Sequence, residues 1–417
     1  MLYLEARFKD TIIGSIPSDW DISMVKETGK VVTGKTPSTK NALFWNGDVP
    51  FVTPTDINHM KLQGKTERRV TESGLKESNE IPPGSLMVTC IASIGKNAIS
   101  KERCCTNQQI NSIIPNTDFD VDYLYYMIEH MKPQLEALAG KTAVPILNKT
   151  SFEQVWLAKP KRTEQQKIAE VLSNIDIALQ KTDELVISSQ RLKKGLMQSL
   201  LTKGIGHKKF EETEIGKIPA GWEIKKVMDL FEVETGTTPA TRNAEYWENG
   251  TVTWLTPTDL STVKGVYLGD SKRKVTDRAL KETNLTLLPK GSILLSTRAP
   301  VGYAAIIMQD STFNQGCKGL IPKANVKSTE DFYCYYLIKS KTLLQNLSSG
   351  STFKELAKDR LENFLVPVPP VSERHKISEI LLKLDKELEA DRRELIYLRK
   401  IKKGFMNELL SGKVRVK

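Results

Sequence analysis

Two stretches of the chain stand apart by the spacing of their apolar residues. From 163 to 203, and again from 372 to 413, there is no proline and almost no glycine. In the first stretch Ile168, Leu172, Ile175, Leu179 and Val186 recur at steps of four and three, with Thr182 interrupting. In the second, Ile377, Leu381, Leu384, Leu388, Leu395 and Leu398 do likewise, with Asp391 interrupting. That rhythm predicts the seam of a coiled coil sustained over several heptads. Each stretch opens with Ser or Thr followed by Glu just after a proline, a helix-start signal. A helix of about 40 residues is roughly 60 Å long, and alone it would leave its apolar stripe wet. Two such helices are expected to pack on each other. If a pseudo-two-fold axis relates them, they run antiparallel and carry globular domains at opposite ends of a rigid helical spacer.

Between these stretches the pattern changes to Thr, Gly and Pro turns around short β-branched runs such as "VPFVT", "SLMVTCIASI", "VTWLT" and "SILLST". One helix is expected near Tyr123–Leu138, with a counterpart near Phe332–Leu347; each precedes a Gly-Lys/Ser-Thr turn. The counterpart exists because the chain is written twice. "RFKDTIIGSIPSDWDI" (7–22) returns as "KFEETEIGKIPAGWEI" (209–224), and "TGKTPSTKNALFWNGDVPFVTPTD" (33–56) as "TGTTPATRNAEYWENGTVTWLTPTD" (235–259). "RVTESGLKESN", "TNQQINSIIP" and "KKGLMQSLLTKG" are answered by "KVTDRALKETN", "FNQGCKGLIP" and "KKGFMNELLSGK". This is a tandem duplication of a unit of about 200 residues. The expected fold is two α/β (α+β) globular domains, 1–158 and 206–368, alternating with long α-helices, 159–205 and 369–417, that form a pseudo-two-fold antiparallel coiled coil.

Composition narrows the function. The net charge of +11 favours a polyanionic partner, while 39% apolar and 27% charged residues describe a globular chain. No apolar run is long enough to span a bilayer, and "MLYLEARFKD" is not a signal peptide. Five cysteines without a disulfide framework suit a reducing, cytoplasmic compartment; Cys104 and Cys105 read as buried thiols. The histidines are scattered and define no metal site.

One motif needs separate treatment. "GKVVTGKT" (29–36) fits the phosphate-binding loop pattern. The second copy reads "FEVETGTT" (231–238), without the first Gly or the Lys. Pro37 also pushes Thr36 away from helical geometry, whereas a phosphate loop needs a helix opening there. The match is accidental by this reading, and no cofactor is expected in this chain. No Asn-Pro-Pro-aromatic run and no catalytic carboxylate pair or triad can be singled out.

The "IPSDW/IPAGW" entry, "TGKTP/TGTTP", "TPTD", the "KP…E" and "PP…E" approaches to each coil, and "KKGLMQSLL/KKGFMNELL" together resemble the specificity subunit of type I restriction-modification enzymes, over essentially the whole chain. The resemblance implies a non-catalytic subunit whose target-recognition domains each read half of an asymmetric, bipartite site in double-stranded DNA. It implies helices that set the spacing and dock two methyltransferase (modification) subunits, with restriction subunits in the full complex. S-adenosylmethionine and ATP with magnesium are then expected on the partners, and no membrane. The rival reading is a coiled-coil scaffold whose twin domains bind protein.

Hydroxyls and cations at repeated turns suit phosphate and base-edge contact. They give Lys35, Thr36, Ser38, Thr39, Lys40, Arg68, Arg69, Lys96, Lys141 and Thr142 in the first domain. In the second they give Thr237, Thr238, Thr241, Arg242, Lys272, Arg273, Lys274, Arg298, Ser351, Thr352 and Lys354. Features identical in both copies read instead as scaffold: Trp20/Trp222, Trp45/Trp247, Tyr125-Tyr126/Tyr335-Tyr336, the "TPTD" turn capped by Asp56 or Asp259, and the Asn107-Gln108 and Asn314-Gln315 pairs.

Overall fold

The computed structural model describes residues 2–58, 61–63, 65–140, 143–298, 300–326, 328–348 and 355–416. They form two compact units, one of residues 1–182 with 395–417 and the other of residues 183–394. The two long helices are Arg162–Lys203 and Val371–Leu410. Each unit therefore joins a globular part to one half of either helix.

In the first unit the central sheet has the strand order Gly29–Thr33, Ile110–Pro115, Leu86–Thr89, Asn97–Ser100, Leu62–Gln63. Its pairings are antiparallel except the last. The consecutive apolar residues Leu86, Met87 and Val88 are explained by burial on both faces. Leu86, Val88, Ile99 and Ile113 pack with the helix Val121–Leu138, while the alternate residues Met87, Ala98 and Ile110 enter a second core with Val52, Ile57 and Ile81. A smaller sheet runs Arg68–Val70, Trp45–Val52, Cys104–Thr106, Glu80–Ile81.

The second unit repeats the plan. Its sheet order is Phe231–Thr235, Cys317–Pro322, Ile293–Ser296, Ala304–Ile307, Tyr267–Leu268, beside a three-stranded sheet of Lys274–Val275, Val252–Leu255 and Thr312–Phe313. The helix expected over Phe332–Leu347 is instead two, Glu330–Lys339 and Lys341–Leu347. They meet at Ser340, whose ψ of 8° departs from helical geometry.

Within each unit the long-helix segments are antiparallel. In the first, Arg415, just past the end of the second helix, contacts Glu164 and Lys402 contacts Asp176, so one residue number falls as the other rises. In the second, His207, just past the end of the first helix, contacts Glu373 and Lys193 contacts Asp385. The seam positions face inward as the periodicity requires: Ile168, Leu172, Val186, Ile377, Leu381, Leu388 and Leu395 are buried, and Ile175, Leu179, Leu384 and Leu398 are half-buried. Of the interrupting residues, Thr182 is buried, its hydroxyl donating to the Ala178 carbonyl at 2.9 Å, and Asp391 is half-buried.

Repeated residues lock each globular part to its helices. The indole of Trp20 donates to Glu164 Oε2 at 3.0 Å, as that of Trp222 does to Glu373 Oε2 at 3.0 Å. Tyr126 donates to Asp176 at 2.7 Å and Tyr335 to Asp385 at 2.6 Å. Each aspartate also meets a lysine, Lys402 or Lys193. In the first unit, strand Leu2–Leu4 pairs antiparallel with Val414–Val416, tying the first residues to the last.

Candidate nucleic-acid interface

The "TG" of "TGKTP" and "TGTTP" is dictated by a close approach. A Cβ on Gly34 would run into the Asn107 carbonyl, and one on Gly236 into the Asn314 carbonyl. This contact holds each Thr-rich loop against the Asn-Gln turn. Thr36 donates to the side-chain oxygen of Gln108 at 2.8 Å, and Thr238 bonds Gln315 in the same way. The Asn-Gln pairs, read as scaffold, therefore split. Asn107 and Asn314 accept the amides of Gln109 (3.1 Å) and Gly316 (3.0 Å) and build the turn. Gln108 and Gln315 stand exposed beside the loop hydroxyls.

The "TPTD" turn is structural as expected. Asp56 accepts the amide and hydroxyl of Thr53 at 2.8 and 2.6 Å, and Asp259 those of Thr256 at 2.8 and 2.6 Å. In the second unit this turn forms one wall of a cleft of about 840 Å³. Lys272, Arg273, Arg298, Asp270, Ser271, Asn314 and Gln315 add to its polar lining. Several sequence candidates thus converge on one concavity, where the three cations stand against two carboxylates, Asp259 and Asp270.

The remaining candidates are less uniform. Arg68 stacks 3.6 Å from the Trp45 ring centre, and Arg273 lies 4.4 and 4.5 Å from those of Trp247 and Trp254. A stacked guanidinium keeps its edge for hydrogen bonds. Arg69 donates to the Asp48 carbonyl, Lys274 pairs with Asp270 at 3.0 Å, and Arg298 with Glu355 at 3.0 Å. Lys35, Lys40, Lys96, Arg242 and Lys272 are exposed and have no ion-pair partner among the described residues. Ser38, Thr39 and Thr241 are exposed, and the Thr237 hydroxyl donates to the Asn284 carbonyl at 2.8 Å. Lys141, Thr142, Ser351, Thr352 and Lys354 lie outside the described residues.

The repeated aromatics are buried as expected, except that Trp247 is only half-buried under Arg273. All five cysteines are buried; burial pushes the Cys104 thiol up to about 12. The segment matching a phosphate loop has the wrong geometry for one. Gly29–Thr33 is itself a strand of the central sheet, and no helix opens at Lys35-Thr36.

One residue escaped sequence reasoning. Lys318, on the strand Cys317–Pro322, is buried, with its ammonium held below its ordinary pKa by desolvation. Its signal was a departure between copies: the matched strand position of the first unit is Asn111, which accepts from Thr33 at 2.6 Å.

These features define a class: a duplicated α/β module, each copy bearing a hydroxyl-rich, cationic loop edge and clasping halves of two long antiparallel helices. The family model described as the type I restriction modification DNA specificity domain matches twice, over residues 17–188 and 219–397. The chain belongs to that family and is a type I restriction-modification specificity subunit.

Among relatives, the MjaIX specificity subunit of Methanocaldococcus jannaschii is 43% identical over 195 residues, 46% of this chain and 44% of that protein. The match thus spans less than half of that relative's length. The putative MjaX specificity subunit of the same organism is 29% identical over 437 residues, spanning 100% of this chain and 98% of the relative. A solved chain from a study of assembly and conformational transition in a type I system covers 95% of this chain and 99% of its own length, with TM-score 0.62 and 15% identity. The S subunit from M. genitalium gives TM-score 0.59 at 16% identity, covering 94% of this chain and 96% of its own. These last two likenesses concern the fold.

Proposed function

We propose that each unit reads one half of a bipartite sequence in double-stranded DNA, and that the chain carries no catalytic step of its own. The carrying observation is the cleft of the second unit, where Lys272, Arg273 and Arg298 sit beside the amide of Gln315 and the Thr256–Asp259 turn. Cations there neutralise phosphates, and an exposed amide or guanidinium reads base edges. The globular parts correspond to 1–158 and 206–368, and the helical segments within 159–205 and 369–417 set the interval between half-sites.

Modification subunits dock on the long helices in this reading. Apolar residues off the seam support it: Ile177, Leu185, Ile187 and Leu192 on the first helix, and Ile396, Tyr397 and Ile401 on the second, are exposed. S-adenosylmethionine, ATP and magnesium belong to modification and restriction partners.

Titrating duplex DNA against the purified chain at increasing salt tests the reading. Affinity should fall steeply and linearly on a log–log scale, with a slope reporting several phosphate contacts. Affinity that ignores salt, or methyl transfer by the isolated chain, overturns it.

A further inference from the structure

The duplication permits a position-by-position comparison that a single domain would not. Scaffold residues coincide in the two units: the Trp–Glu bonds, the Tyr–Asp–Lys clusters, the Gly against the Asn-Gln turn. A surface that reads two different sequences must diverge where it touches bases. The matched backbone registers show where chemistry changes while geometry does not.

One such change lies at a bridge beside the Asn-Gln turn. In the first unit Ile91 forms an antiparallel bridge with Ile146, and Leu147 donates to the Cys90 carbonyl at 2.8 Å. In the second unit Arg298 bridges Glu355, and Leu356 donates to the Thr297 carbonyl at 2.9 Å. The backbone is the same, and the side chains are two isoleucines against an arginine and a glutamate. The neighbouring strand changes in step, Asn111 in the first unit and buried Lys318 in the second. A pair of isoleucines has become an ion pair at the same register.

The second-unit arrangement has the chemistry of a base reader. Arg298 is exposed, lines the cleft, and has its Nε 3.0 Å from Glu355 Oε2. A carboxylate taken at Nε orients the guanidinium and leaves Nη1 and Nη2 as a two-pronged donor. That fork matches O6 and N7 of guanine in the major groove. Lys318 adds positive charge nearby and no competing acceptor. In the first unit Ile146 is exposed beside half-buried Ile91, a surface that offers no hydrogen bond and fits the thymine methyl.

We propose that the Arg298–Glu355 bridge reads a guanine in the half-site of the second unit, and that the Ile91–Ile146 bridge reads a thymine methyl at the matched place in the other. This rests on the DNA-reading function proposed above and adds the base chemistry of each half. Gln315 and Gln108, common to both units, lie beside the readers without distinguishing the halves.

The test is selection of binding sites from a library of randomised duplexes by the full-length chain, comparing wild type with Arg298→Lys and Glu355→Gln. Arg298→Lys keeps the charge and any phosphate contact but loses the fork. Wild type is expected to enrich two half-sites, one containing an invariant G·C pair. Arg298→Lys should lower discrimination at that pair roughly tenfold to a hundredfold, with the other half-site and the salt slope unchanged. Glu355→Gln should weaken preference at the same pair, and Ile146→Asn should alter only the other half-site. An unchanged motif with Arg298→Lys, or a uniform loss across all sequences in a variant whose circular dichroism matches wild type, overturns the proposal while leaving DNA reading intact. No enriched sequence with wild type overturns the underlying function instead. A global loss accompanied by a changed circular dichroism spectrum is unfolding, in which case Glu355→Gln decides.

Discussion

Replacing Arg415 by methionine removes the cation that ion-pairs with Glu5, Asp19 and Glu164. The Arg415 side chain is 5% exposed and that of Glu164 12%. Nε and Nη2 of Arg415 donate to the two oxygens of Glu164 at 2.7 and 2.9 Å, and Nη1 and Nη2 donate to those of Asp19 at 2.8 and 2.9 Å. Methionine keeps an unbranched apolar stem but leaves the mostly covered Glu164 carboxylate with the Trp20 indole as its one remaining side-chain donor among the described residues. Removing one partner of a buried pair costs about 3–5 kcal/mol. Asp19, 55% exposed, relaxes into water and adds no more than a surface pair, under about 1 kcal/mol. The first unit should therefore lose about 3–5 kcal/mol at pH 7. Its sheet of Leu2–Leu4 with Val414–Val416 should loosen first, because Arg415 sits in that strand.

The pH dependence has a definite sign. The Asp19 carboxyl is held below its ordinary range chiefly by its hydrogen bond to Arg415; Glu5 is lowered first by the Arg7 amide, with Arg415 adding to it. A lowered native pKa stabilises the fold above the ordinary carboxylate range, and this is lost as pH falls through the lowered value. The variant lacks the Arg415 contribution, so the gap between wild type and variant is widest at neutral pH and narrows below about pH 4. Denaturant unfolding followed by tryptophan fluorescence at the two pH values measures it. A gap under about 1 kcal/mol at pH 7, or one that does not narrow on acidification, refutes the reasoning.

Three further outcomes follow from the repeated scaffold. Tyr126→Phe and Tyr335→Phe should each lower stability by about 1–2 kcal/mol in urea unfolding, since each deprives a largely buried aspartate of a donor; an effect in one unit alone contradicts their equivalence. Gly34→Ala and Gly236→Ala force a Cβ into the Asn107 or Asn314 carbonyl and should weaken DNA binding through loop displacement. Faster amide exchange over the adjoining Asn-Gln turn is the check, and unchanged exchange counts against that close approach. A thiol reagent at pH 8 should find no promptly reactive cysteine in the folded chain and five after denaturation, because all five are buried and the Cys90 and Cys105 thiols are pushed up to about 11. Prompt reaction of one equivalent contradicts this.

The duplication, the seam and the strand-rich domains were written in the one-dimensional pattern, because periodicity and repetition are local properties. Every seam position from Ile168 to Leu398 was identified by spacing alone. The accidental nature of "GKVVTGKT" was likewise visible from Pro37 and from the second copy. Tertiary structure decided what depends on residues distant in sequence. Trp20 meets Glu164, Arg415 gathers Glu5 and Asp19, and Thr36 meets Gln108. It also separated Asn107 from Gln108, adjacent letters, since the turn uses one amide in its own hydrogen bond and leaves the next exposed. The Ile91–Ile146 and Arg298–Glu355 bridges needed register, which side-chain alternation along one strand does not supply. Base readout depends on which side chains share an edge, and only the folded sheets bring those partners together.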